Sequence, residues 1–329
     1  MRVLVTGGAG YIGSVLVPAL LERGYEVRVV DTALFGTAHL PQAAEVVVGD
    51  ILSFDDQWLD GVEAVIHLAG ISNDPMAELS PSINYLVNSA GTAIVAQKAK
   101  KAGISRFVFA STCSVYGSTN GDELNEDHPA SPCFPYAISK LMGERALFCL
   151  ADDEFRPIIL RKGTVGGWSP RMRYDLVANT MVKTALTQRR IVVHNPALWR
   201  PLIDIKDVAS AYVRALDAHP SLTGVFNIAY DNFTIGRLAD EVAATLRVYA
   251  VNVPIEILRR QDLRNYRVST RRAHDVLDFR ATVSMEQSIE LMVRHALEGD
   301  ATDFDNPIYT NVEWMKLKMA EGRIASAVA

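Results

Sequence analysis

Tyr136 and Lys140 stand four residues apart in Tyr136-Ala137-Ile138-Ser139-Lys140. On a helix this spacing puts both on one face, one turn apart. An ammonium beside a phenol favours the phenolate, because a nearby opposite charge lowers an acid's pKa. The tyrosine then becomes a proton donor and acceptor usable near neutral pH. The same pair also arises on ordinary helices, as an aromatic at a helix start and a solvated lysine. What separates the two readings is the set of elements that would position the pair.

Arg2-Val3-Leu4-Val5 is a short β-branched run, read as a buried strand. Thr6-Gly7-Gly8-Ala9-Gly10-Tyr11-Ile12-Gly13 follows it, and helical spacing runs from Ser14 to Arg23, with Pro18 in the early turns. Strand, glycine-rich turn and helix together make a dinucleotide phosphate site: the glycines allow a tight turn and close backbone approach, and the helix N-terminus faces the pyrophosphate. The next strand, Glu26 to Val30, closes on Asp31, 18 positions after Gly13. That is near the roughly 20-residue spacing of an acid that binds a ribose 2′-hydroxyl. A carboxylate there repels a 2′-phosphate, so NAD is expected rather than NADP. Further strands are expected at Glu45–Val48, Ala64–Leu68 and Arg106–Ala110, nearly continuous in apolar residues as parallel strands are. Asp50-Ile51 and Leu68-Ala69-Gly70 then lie at carboxyl ends of strands, where ligands of such sheets bind. A helix over 82–101 carries Asn88, either structural or a support for the active-site backbone. Ser111-Thr112-Cys113-Ser114 ends the next strand with hydroxyls placed for a substrate oxygen, residues that elsewhere form turns.

Composition bounds the rest. The chain has 329 residues, 49% hydrophobic and 22% charged, as for a globular protein with one large α/β domain or a large and a small one. A formal net charge of −5 gives no footprint for nucleic acid or an anionic membrane surface. No apolar run approaches the roughly 20 residues of a membrane helix, and the early strand leaves no room for a signal peptide. Cys113, Cys133 and Cys149 lack metal-ligand spacing and are odd in number, so neither a metal site nor disulfides are expected. A cytoplasmic setting follows.

Taken together, the Gly7/Gly10/Gly13 turn, Asp31, Asp50, Leu68-Ala69-Gly70, Asn88, Thr112, Tyr136 with Lys140, and Asp207-Val208-Ala209 resemble an extended short-chain dehydrogenase/reductase of the NAD-dependent epimerase/dehydratase family. The resemblance implies an α/β fold, a Rossmann-type doubly wound parallel sheet with a smaller C-terminal substrate-binding region. Residues 1–165 would be the NAD-binding domain, with a strand and helix returning from about 200–230, and 166–329 mainly the substrate region. It implies that Thr112 and Tyr136 share a hydrogen bond to the substrate oxygen, and that Tyr136 moves the proton. Lys140 would bind the nicotinamide ribose and depress the tyrosine pKa. The cofactor contacts would come from Gly7, Gly10, Tyr11, Ile12, Gly13, Asp31, Asp50, Ile51, Leu68, Ala69, Gly70 and Asn88. The substrate would be a nucleoside-diphosphate sugar, met by Cys113, Ser114, Thr164, Asn179, Arg200 and Arg264, with Arg267 as an alternative to Arg264. Arginine suits phosphate through its planar fork of donors. Arg171 and Arg173 either close on the diphosphate or line a loop. A homodimer through the helices at 82–101 and 136–151 is also implied.

The sequence departs from the family at two places. Dehydratases of the group carry an acidic pair where Cys113 and Ser114 stand, which disfavours dehydration; glutamate-dependent decarboxylation is disfavoured for a related reason. Relatives carry asparagine where Thr164 stands and often tyrosine at Gly166, and the Gly166-Gly167 pair suggests room for a different or bulkier substrate. The expected function is NAD-dependent epimerisation of a nucleoside-diphosphate sugar, most simply at C4. The alternatives are a ketosugar reductase or dehydrogenase with the same catalytic set, less so a dehydratase, and, remotely, a non-catalytic NAD-sensing protein.

Overall fold

The structure is a computed structural model that describes residues 1–119, 122–258, 264–299 and 303–322. Its centre is a parallel sheet of β1 (Arg2–Thr6), β2 (Glu26–Asp31), β3 (Glu45–Val48), β4 (Ala64–His67), β5 (Arg106–Thr112), β7 (Arg156–Lys162) and β11 (Gly224–Ile228). Their order across the sheet is β11-β7-β5-β4-β1-β2-β3. The chain therefore leaves β1 in one direction through β2 and β3, then returns to build the other half from β4. That reversal opens a crevice at the carboxyl ends of β1 and β4, the place where ligands of doubly wound sheets bind.

Both faces of the sheet are covered, which is why its strands read as apolar runs rather than alternations. On one face, α1 (Gly13–Glu22) and α7 (Ile205–Asp217) bury Leu16, Leu20, Val208 and Tyr212 against Val3, Val5, Val29 and Ile158. On the other, α4 (Thr92–Lys101) and α5 (Pro135–Leu150) bury Val95, Ala99 and Leu147 against Phe107, Phe109 and Ile159. Full burial of one such side chain contributes roughly 1.5–3 kcal/mol. Pro18 sits sixth in α1, inside the helix rather than in its first turn.

The segment expected as one helix over 82–101 is instead three pieces. After the short α2 (Asp74–Leu79), α3 (Pro81–Tyr85) passes into a π-turn at Leu86–Gly91 before α4 begins. The wider turn carries the buried Asn88, in a geometry that recurs at functional sites.

A second, smaller assembly lies over the carboxyl edge of the sheet. β8 (Thr164–Gly166), β10 (Trp199–Asp204) and β12 (Asp231–Thr234) form one small sheet, and β9 (Ile191–His194) pairs with β13 (Ile255–Leu258). α6 (Val177–Gln188), α8 (Ile235–Val248) and α10 (Met285–Glu298) pack around them on Met181, Val182, Leu238, Val242 and Ile289. β6 (Glu123–Leu124) and β14 (Arg267–Val268) pair beneath, and α9 (Arg271–Leu277) packs near β11. α7 is tied to this assembly by Asp207, whose carboxylate accepts the Thr282 and Val283 amides at 2.9–3.0 Å. Asp207 is thus a structural link rather than a cavity residue. The last helix among the described residues is α11 (Asn311–Ala320); residues 323–329 lie outside them.

Candidate active site

The turn after β1 is held so tightly that only glycine fits. Gly7 has φ +72°, and a Cβ there would lie 2.5 Å from the Ala69 amide nitrogen; at Gly13 it would lie 2.3 Å from the Gly8 carbonyl oxygen. Asp31 closes β2 beside this turn, accepting the Ala9 amide at 3.0 Å and the Ala33 amide at 2.9 Å. Burial raises its carboxyl pKa, and the two amides work against that shift. Asp50 accepts from the Leu52 amide at 2.9 Å and so fixes the turn carrying Ile51. Gly7, Gly10, Tyr11, Ile12, Gly13, Asp31, Asp50, Ile51, Leu68, Ala69 and Gly70 all line one cavity of about 950 Å³. A strand–glycine turn–helix beside a carboxylate in a cavity of this size fits a dinucleotide without a 2′-phosphate.

Thr112, Tyr136 and Lys140 line the same cavity. α5 carries the last two and is bolted to the sheet from beneath. Glu144, fully buried, accepts from Arg161 Nε at 3.0 Å and Nη2 at 2.6 Å, and also from the Ser111 hydroxyl. Arg161 is on β7 and Ser111 on β5, so one carboxylate fixes the helix across two strands. Asn88 adds a second anchor. Its amide donates to the Ile71 carbonyl, Asn84 and Ser139 Oγ, and its oxygen accepts the Ile71 amide. Asn88 does not line the cavity; it shapes the wall after β4 and steadies α5.

Burial governs the electrostatics of the pair. Burial pushes Lys140 well below the usual lysine range, Lys162 pushes the same way, and Glu144 opposes them. Its ammonium nitrogen lies 4.3 Å from the centre of the Phe109 ring. Tyr136 is pushed above the usual phenol range, by burial first and then by Asp74. In the protein alone, burial disfavours the charged forms of both Lys140 and Tyr136.

Lys162 was not legible as a site residue. It pairs in register with Thr112, lines the cavity, and donates to the Ser111 carbonyl at 2.6 Å. Burial lowers its pKa to about 8. The signal was a lysine ending an apolar strand, where a side chain must share its neighbour's face.

The expected substrate residues divide. Ser114 lines the cavity with its hydroxyl 2.9 Å from that of Thr112, and Thr164, Arg200 and Arg264 line it too. Arg200 donates to the carbonyls of Trp199 and Arg264, and Arg264 pairs with Asp74 at 3.1 Å. Arg267 instead lies over Trp199, away from the cavity lining. Cys113 does not reach the cavity: it is fully buried and its thiol donates to the Arg161 carbonyl at 3.0 Å. Asn179 does not reach it either. Its oxygen accepts the Gly167 amide, and its amide donates to the Arg173 carbonyl at 2.7 Å and the Tyr11 hydroxyl at 3.1 Å. Nor does Gly166 open the site, since a Cβ there would touch Ala178 and Asn179 at 3.4 Å, on the side of α6. The missing side chain is filled by the helix.

Residues 3–229 match the sequence model of the NAD dependent epimerase/dehydratase family. The chain belongs to that family. It is 35% identical to the UDP-glucose 4-epimerase of Azospirillum brasilense over 238 residues, 65% of this chain and 68% of the relative. To the UDP-glucose 4-epimerase of Halalkalibacterium halodurans it is 28% identical over 320 residues, 90% of this chain and 94% of the relative. Among solved structures it is similar to the UDP-glucuronic acid 4-epimerase of Bacillus cereus in complex with UDP-glucuronic acid and NAD (TM-score 0.81, 25% identity). That likeness covers 91% of this chain and 99% of that one. It is also similar to the UDP-glucose 4-epimerase of Thermotoga maritima with UDP-glucose (TM-score 0.80, 26% identity, 91% and 99% covered). The family is NAD-dependent, and the glycine turn and Asp31 are the part of this site that fits that cofactor.

Proposed function

We propose that the protein is an NAD-dependent 4-epimerase of a uridine-diphosphate sugar. The observation that carries this is the convergence of Thr112, Tyr136 and Lys140 on the cavity that the glycine turn and Asp31 also line. Bound NAD supplies the hydride acceptor and later the hydride donor. Thr112 and Tyr136 hold the C4 hydroxyl, and Tyr136 takes its proton as the hydride leaves the same carbon. The product is a 4-keto sugar. After the hexose turns over in the site, Tyr136 would return the proton to the C4 oxygen as the ketone is reduced from its opposite face. The cycle needs no outside oxidant, since each equivalent removed is restored.

The positive charge of an oxidised nicotinamide would offset the burial that raises the Tyr136 pKa, because opposite charge lowers an acid's pKa. Proton transfer is thereby tied to a loaded site. Lys140, beside Phe109, would bind the nicotinamide ribose. Ser114, Thr164, Arg200 and Arg264 contact the sugar nucleotide, with the two arginines toward its diphosphate. Residues 1–165, with the helix α7 and strand β11 that return within about 200–230, serve the cofactor, and 166–329 mainly the substrate.

No helix among the described residues is long and apolar enough to cross a membrane, and a cytoplasmic homodimer is part of the same reading. Met142 and Phe148 on α5 are large apolar side chains left exposed, which suits a partner helix there. Following UDP-glucose and UDP-galactose by NMR with no cofactor added tests the activity. Interconversion toward one equilibrium ratio from both sides is expected. A requirement for stoichiometric NADH would point instead to a reductase.

A further inference from the structure

Arg171 is only 5% exposed, lines the cavity, and has two donors with nowhere to go. Its Nη2 donates to Asn311 Oδ1 at 2.6 Å, and its guanidinium carbon lies 3.5 Å from the centre of the Phe35 ring. Nε and Nη1 have no hydrogen-bond partner among the described residues. A buried cation with unmet donors is costly unless an anion completes it. The two donors lie on different edges of the guanidinium, so a group with several oxygens suits them better than one carboxylate.

The neighbours say which group. Phe35 follows β2, and Asp31, which ends that strand, acts on Arg171 after the larger effects of Arg173 and Asp175. Phe35 and Asp31 belong to the cofactor side of the crevice, while Arg200 and Arg264 occupy the substrate side. The helix that holds Arg171 also closes that side. Asn311 donates through Nδ2 to Ser72 Oγ at 3.1 Å and through its backbone amide to Asp175 at 3.2 Å. Trp314 donates to the Leu34 carbonyl at 2.7 Å, and its ring stacks on Phe35 with centroids 6.4 Å apart. α11 therefore joins the loop after β4 to the loop after β2, across the switch point, and Asn311 and Met315 face the cavity.

We propose that Arg171 binds the pyrophosphate of the dinucleotide and that α11 is a strap holding Arg171 and both rim loops closed over it. This rests on the reading of the glycine turn as a dinucleotide site. Its consequence is a cofactor retained from one turnover to the next, as an enzyme that returns its own hydride requires.

Titration calorimetry of NAD⁺ and, separately, of UDP on protein first stripped of bound nucleotide, with the rate of NAD release from reloaded protein followed alongside, tests this on the wild type, Arg171→Met and Trp314→Ala. Arg171→Met should weaken NAD⁺ binding by roughly 10- to 100-fold, the scale of losing one charge-assisted hydrogen bond, with UDP binding unchanged. Trp314→Ala should release bound NAD faster with UDP binding unchanged. Weaker UDP with unaltered NAD⁺ would assign Arg171 to the substrate diphosphate and overturn the proposal. So would two unaltered affinities. A wild type that binds no NAD⁺ would overturn the dinucleotide reading itself.

Discussion

Asn88 and Asn179 are the same residue type, both fully buried, both with their side chains engaged in several hydrogen bonds, and each at the edge of one half of the site. They fasten different things. Asn88 joins the wall after β4 to α5, so it stands behind the catalytic pair. Asn179 joins the Gly167 and Arg173 backbone to Tyr11, so it clips the substrate assembly to the glycine turn. A buried asparagine near a ligand cavity is thus a joint whose partners, not its type, tell its role. Neither has spare capacity for a ligand, since a buried amide that gave up a partner would leave that partner unpaired.

The largest effect that sharpens this contrast lies on the catalytic side. Tyr136→Phe removes the proton carrier and should lower kcat by roughly 10²–10⁴-fold, with NAD⁺ affinity left near wild type. Steady-state kinetics with a parallel NAD⁺ titration check it, and wild-type turnover would remove Tyr136 from the mechanism. Next comes Glu144→Ala, which strands the buried Arg161 charge under α5 and should cost about 3–5 kcal/mol in urea unfolding. A loss below 1 kcal/mol would mean that α5 is held by its apolar contacts alone.

The two asparagines give a smaller, directly comparative pair. Each alanine variant should lose about 1–3 kcal/mol of stability from the partners left unpaired. Asn88→Ala should lower kcat more than it changes UDP affinity, and Asn179→Ala the reverse. Matching profiles would erase the distinction between the two halves. The smallest effect is a pH dependence. The folded-state pKa of Lys162 is depressed from 10.5 to about 8, so the protonated lysine costs stability below pH 8. That cost is relieved as pH rises from about 8 toward 10.5, where the unfolded chain still binds the proton. Lys162→Met should therefore be more stable than wild type at pH 7, with the gap shrinking by pH 9.5 in paired denaturant melts.

Local pattern carried the parallel strands, the glycine turn, Asp31 and the Tyr136–Lys140 face, because strand runs, turn chemistry and helical spacing are properties of adjacent residues. The π-turn within 82–101 was hidden, since one extra residue in a helical turn leaves no compositional mark. Contacts made across the chain were hidden as well. Cys113 follows Thr112, yet it turns inward to the Arg161 carbonyl, and Asn179 is claimed by a loop and a tyrosine 168 residues away. Gly166 read as open space, and only the packing of α6 shows it filled. Lys140 read as a charge beside a phenol, because sequence spacing reports proximity and says nothing of burial.

Epimerisation through a retained cofactor is tested most directly with UDP-galactose carrying deuterium at C4 of the galactose, incubated with the protein and a pool of unlabelled NADH. Product UDP-glucose that keeps the deuterium at C4, with the NADH pool unlabelled and unchanged in amount, is the expected result. Deuterium appearing in the pool, or conversion that consumes NADH mole for mole, would contradict it.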